Sequence, residues 1–157
     1  MPVVWEHYIE PPVSGDATVL AELEDQARVT LPQELRELII TRAGQVSEPG
    51  SISLEGPRTT PFAPILYVGG NPSHSRYTYS IEFVMSHLVE WAEAESPAAL
   101  GLFPFASNTG TGYFCVDFRS DPKSTNIVFV DLNFDFSEPG AIRPAAPDLS
   151  TLLAKLR

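Results

Sequence analysis

The sequence predicts an α+β protein, a single domain over residues 1–157 in which a mainly antiparallel sheet is flanked by about four helices. Three observations lead there. The length of 157 residues suits one domain. Apolar residues recur at helical spacing in four separate stretches. In the second half, apolar runs follow one another across short turn sequences, which gives antiparallel neighbours.

The elements follow in order. Trp5 to Val13 ends at Pro11-Pro12 and reads as a lead-in segment. Asp16 suits the cap of a helix whose buried stripe is Val19, Leu20, Leu23 and Ala27, with Glu22, Glu24 and Asp25 facing away. A second helix starts at Pro32, where a missing N–H does no harm. Leu35, Leu38, Ile39 and Ala43 supply its buried face, and Gly44 suits a left-handed stop. Ile52 to Leu54 forms a short strand, and Pro57 to Pro64 is loop. Ile65-Leu66-Tyr67-Val68 reads as a strand closed by Gly69-Gly70, followed by a polar loop from Asn71 to Arg76. Ser80 caps a helix reaching Ala94, whose apolar face is Ile81, Val84, Met85, Leu88, Trp91 and Ala92. Strands follow at Gly101 to Phe105, Gly112 to Phe118 and Asn126 to Leu132, and Asp148 caps a last helix with Leu149, Leu152, Leu153 and Leu156 on one stripe.

Composition narrows the function. A hydrophobic content of 43% supports a packed core without staples. The lone Cys115 leaves no internal disulfide and no cysteine zinc cluster. Met1-Pro2-Val3-Val4-Trp5-Glu6 lacks the basic start and apolar run of a secretory signal, so a soluble, cytoplasmic protein is expected. Twenty acidic against ten basic residues give a net charge of −10. That field disfavours nucleic acid and anionic membrane as partners and favours cationic ones.

Two groups of residues resemble a known family. One is Glu24-Asp25-Gln26-Ala27-Arg28-Val29-Thr30-Leu31-Pro32 with Glu34-Leu35-Arg36-Glu37-Leu38-Ile39. The other is Leu102-Phe103-Pro104-Phe105-Ala106-Ser107 with Gly110-Thr111-Gly112-Tyr113-Phe114-Cys115-Val116-Asp117, then Ile127-Val128-Phe129-Val130-Asp131 and the terminal leucine helix. In this order they resemble the SUKH superfamily, which includes the fungal Smi/Knr-type regulators and many bacterial toxin-immunity proteins. Ala43-Gly44-Gln45 departs from that family's usual Asn-Gly-Gly. The resemblance implies a non-enzymatic protein, with no cofactor, that binds and neutralises a cognate toxin.

The reactive residue types are weighed independently. Cys115 sits mid-strand between Phe114 and Val116 and reads as a buried structural thiol. His7, His74 and His87 show no metal-ligand spacing, and His74 alone is a functional candidate. Asp117, Asp131 and Asp135 would have to converge to hold a cation; strand-end aspartates more often serve turns. Gly110-Thr111-Gly112 and Gly69-Gly70 read as turns.

One local conflict stands out. No Lys or Arg lies between Arg76 and Arg119. Glu82, Ser86, Glu90 and Glu93 are expected to share one exposed helical face, and Glu90, Glu93 and Glu95 crowd the end where the helix dipole prefers cations. Such a conflict marks a functional surface or an ordinary solvated face. The expected partner-binding residues are therefore Glu82, Glu90, Glu93 and Glu95, with His74, Arg76, Tyr77 and Tyr79 from the adjoining loop. The partner would be a toxin domain with a basic surface. A regulatory or scaffold module of the same fold, and an enzyme built on Cys115 or the aspartates, stay open as alternatives.

Overall fold

In a computed structural model, residues 3–9, 13, 15–54, 58–69, 73 and 75–157 are described. Among them, eight strands and five helices follow in the order β1 (Val4–His7), α1 (Ala17–Ala27), α2 (Gln33–Arg42), β2 (Gln45–Glu48), β3 (Ser51–Ser53), β4 (Thr59–Pro61), α3 (Ile81–Trp91), α4 (Pro97–Leu100), β5 (Leu102–Ser107), β6 (Gly112–Asp117), β7 (Ile127–Asp131), β8 (Ile142–Ala146) and α5 (Leu149–Ala154). The main sheet is an antiparallel meander in the order β5-β6-β7-β8; β1-β2 and β3-β4 are separate antiparallel pairs. The α+β architecture stands. No helix among the described residues is long and apolar enough to cross a membrane.

The predicted helices start where their caps place them. Asp16 accepts from the Thr18 and Val19 amides, Ser80 from Phe83 and Asp148 from Thr151, each satisfying N–H groups left open at a first turn. α2 begins one residue after Pro32, and Gly44 follows it with φ +73°, the left-handed conformation that ends a helix cheaply.

The core lies between the meander and the helices. Phe103, Phe105, Phe114, Val116, Phe129 and Val130 from the sheet meet Leu20, Leu35, Ile39, Val84 and Leu88 from the helices. Phe62, just after β4, packs edge-on against Phe105 and Phe114, so the sheet is covered by aromatic contact beside β4 as well.

Several expectations are corrected. Trp5 to Val13 is more than a lead-in, since β1 pairs with β2 from Val4↔Glu48 to His7↔Gln45. Thr59–Pro61, read as loop, is β4. Ile65 to Val68 is buried but makes only single bridges, at Ile65 to Ala106 and at Tyr67 to Ser80. Pro64 donates no hydrogen bond and β5 is irregular between Pro104 and Ala106, so no ladder propagates there. Glu24 does not face solvent; it is 7% exposed. Its carboxylate accepts from the Leu31 amide and pairs with the Arg36 guanidinium, joining α1 to α2 across Leu31-Pro32.

Candidate partner-binding surface

α3 positions the candidate surface. Ile81, Val84, Met85 and Leu88 are buried and anchor it to the core, and it packs against β5 and α4. On the sides away from the core, residues four apart stack into two neighbouring rows. Glu82, Ser86 and Glu90 form one. Phe83, His87 and Trp91 form the other.

The acidic row is uneven. Glu90 is exposed, whereas Glu82 is half-buried and accepts the Gly69 amide at 2.8 Å, which ties the preceding segment to α3. Burial, with the Glu82 charge adding to it, raises the nearby Tyr67 phenol above its ordinary value. Glu93 lies beyond the last helical residue, Trp91, with φ +53°, so it does not continue the helical row as expected. Glu93 and Glu95 are both exposed at the helix end.

Aromatic side chains frame both ends of α3. At its start, the Arg76 guanidinium lies over Tyr8 at 5.7 Å and Tyr79 at 6.0 Å, and those two rings meet edge-on. Tyr77 meets Phe83 edge-on at 5.6 Å, and Phe83 stacks on His87. At its end, Trp91 meets Phe136 at 5.3 Å and 85°, while its indole N–H donates to the Phe134 carbonyl at 3.0 Å. Phe134 and Phe136 are each 37% exposed. They sit on the 132–141 connection, which closes on its own hydrogen bonds: Phe134 to Asp131, Glu138 to Asp135, and Ala141 to Glu138.

The structure therefore brings Arg76, Tyr77 and Tyr79 together at one end of α3 and Glu90, Glu93 and Glu95 at the other, with Glu82 half withdrawn. His74 lies outside the described residues. The sequence-based expectation did not point to Tyr8, Phe83, His87, Phe134 and Phe136; Trp91, expected on the apolar face of the helix, packs against the core and is also part-exposed. Two signals were present. Phe83, His87 and Trp91 are four apart, and two phenylalanines flank Asp135 in an otherwise polar run.

The profile of the SMI1 / KNR4 family (SUKH-1) matches residues 16–155. The chain belongs to this family. The match runs from the cap of α1 to the end of α5, so it takes in both helix-end clusters except Tyr8. A comparison with curated proteins finds no match.

Elsewhere among the described residues of this SUKH-1 chain the reactive residue types do not converge. Cys115 is fully buried, and desolvation, with a smaller contribution from the Asp117 charge, pushes its thiol far up and away from the nucleophilic thiolate. Asp117 ends β6 beside Leu102, whereas Asp131 ends β7 opposite Gly112; in an antiparallel pair these are opposite ends. Each aspartate also has its own cation, Asp117 with Arg119 at 2.9 Å and Asp131 with Arg143 at 3.6 Å. Among the described residues no group of three His, Cys, Asp or Glu side chains could hold a metal. The Gly110-Thr111-Gly112 stretch is a turn, closed by Asn108 Oδ1 accepting from the Gly110 and Gly112 amides. A groove of about 570 Å³ between α1, α4 and Pro122 is lined by Gln26, Arg28, Ser96 and Phe118, with no carboxylate, histidine or thiol among its lining residues.

Proposed function

We propose that this SUKH-1 protein is an immunity-type protein that binds a cognate bacterial toxin domain in the cytoplasm and neutralises it by covering its surface. The carrying observation is the solvent side of α3, where a carboxylate row runs beside an aromatic row and aromatic clusters extend both ends. Aromatic residues and arginine are the types that anchor protein interfaces, and exposed charge of one sign speeds encounter with an opposite surface. The family's toxin-immunity-type roles and the net charge of −10 support the same reading.

The test uses the full chain and the toxin-type domain that the immunity reading expects a neighbouring reading frame to encode. Glu90→Lys, Glu93→Lys and Glu95→Lys together are expected to slow association roughly tenfold at low salt, with less effect at high salt. Thermal unfolding of the triple variant should stay near that of the parent. Glu82 is left unchanged because it holds the Gly69 amide. An association rate unaffected by the three substitutions would remove this surface from the function.

A further inference from the structure

The C-terminal end of α3 carries a feature more specific than an acidic face. Trp91, Glu93, Asp135 and Phe136 line a cleft of about 380 Å³ between α3 and the 132–141 connection. Its walls are aromatic and its rim is anionic. The indole N–H is already used by the Phe134 carbonyl, so what Trp91 can still offer a ligand is its ring face. Phe136 crosses that ring nearly at right angles and is itself exposed.

Among the described residues no ion pair serves this cleft. The described ion pairs are Glu24–Arg36, Asp117–Arg119 and Asp131–Arg143, and none involves Glu93 or Asp135. The sequence has no Lys or Arg between Arg76 and Arg119, nor between Lys123 and Arg143. Trp5 is the contrasting case in the same molecule, because Arg42 lies over its ring at 5.7 Å. The described cation–aromatic contacts use Trp5, Tyr8, Tyr79 and Phe129 and leave Trp91 without one.

We infer that this cleft receives an arginine side chain of the partner protein, its guanidinium stacked on the Trp91 ring with Phe136 as the side wall and pairing with Glu93 and Asp135. The assignment rests on the protein-binding reading above and names the chemistry of one contact in it. Arginine fits better than lysine because the guanidinium is planar, weakly hydrated and able to stack on a ring while donating to carboxylates in its plane; an ammonium is a strongly hydrated point charge.

The test is a nuclear magnetic resonance titration of the full chain with N-acetyl-arginine methylamide, its lysine counterpart and its neutral citrulline analogue, at matched ionic strength. The arginine compound is expected to shift the Trp91 indole resonance and the Glu93 and Phe136 amides, leaving the Trp5 indole in place. The citrulline analogue should shift none of them, and the lysine compound should bind more weakly. Glu93→Gln with Asp135→Asn, which keeps side-chain size, should weaken the arginine response roughly fivefold. Equal shifts with citrulline or lysine, or shifts spread evenly over exposed carboxylates such as Glu22 and Asp25, would overturn the assignment. An unresponsive Trp91 in a protein whose toxin binding still slows in the triple-lysine variant overturns the cleft alone. Toxin binding that ignores those lysines instead removes the α3 surface, and the cleft with it, from the interaction, whereas a chain that binds no toxin at all is the failure of the immunity reading.

Discussion

At the scale of single residues, the buried carboxylate of Glu24 does most to join separate elements. Removing Glu24 leaves the buried Leu31 amide unmatched, while the part-exposed Arg36 can turn to water, so Glu24→Ala is expected to cost about 2 kcal/mol. A lower urea midpoint with an unchanged slope would register that loss. The sequence hid this role for a physical reason. Glutamate is ordinarily solvated, and the residue that reverses that preference, Arg36, is twelve positions away across a turn. Cys115 was legible, since its neighbours Phe114 and Val116 already marked a strand interior. Its burial implies that a thiol reagent should modify native protein only as fast as the molecule unfolds. Stoichiometric modification by a disulfide reagent within the dead time, under native conditions, would contradict this.

At the scale of elements, the helices were readable because caps and 3.6-residue periodicity agree within each segment. Short strands were not. β2 is Gln45-Val46-Ser47-Glu48, β4 is only three residues long, and β8 contains Pro144; none alternates clearly enough to overcome those features. On the candidate surface, the exposure of Glu90, Glu93 and Glu95 was legible, whereas the tie from Glu82 to Gly69 and the aromatic row were not, because Trp91 also fits the edge of the core stripe. Strand register sets a further constraint at Gly112. A Cβ placed there would lie 2.1 Å from Phe129 Cζ on the neighbouring strand, so the ring occupies the space that a side chain would need. Gly112→Ala is therefore expected to destabilise by about 1–3 kcal/mol. Phe129→Leu should recover part of that loss in the double variant, as a thermal-unfolding cycle over the four proteins would show.

At the scale of the whole molecule, charge couples stability to pH. Burial raises the Asp117 carboxyl, but the Arg119 hydrogen bonds and charge outweigh it and hold the group below its ordinary value. At Asp148 the Thr151 amide lowers the carboxyl in the same direction. Both groups bind protons less readily folded than unfolded. The stability they contribute is present above the unfolded value, about 3.9, and is lost as pH falls through the folded ones. The urea midpoint should hold from pH 7 to about 5 and drop below about 4. Asp117→Asn should lower the plateau and flatten that drop. Near pH 4.6 the chain is uncharged overall, so precipitation should set in just before acid unfolding begins. The 132–141 connection has a different consequence. Its own turns fold it, and outside them it is held by Leu132 and Ala141 at its two ends and by the Trp91 indole at Phe134 and Phe136. Substituting a two-residue hairpin turn for residues 133–140 should lower the melting temperature only by the loss of the Trp91 contacts, and should remove the cleft beside Trp91. The exposed residues 133–139 are therefore free to change sequence while Leu132 and Ala141 keep the two ends of the segment on the buried frame.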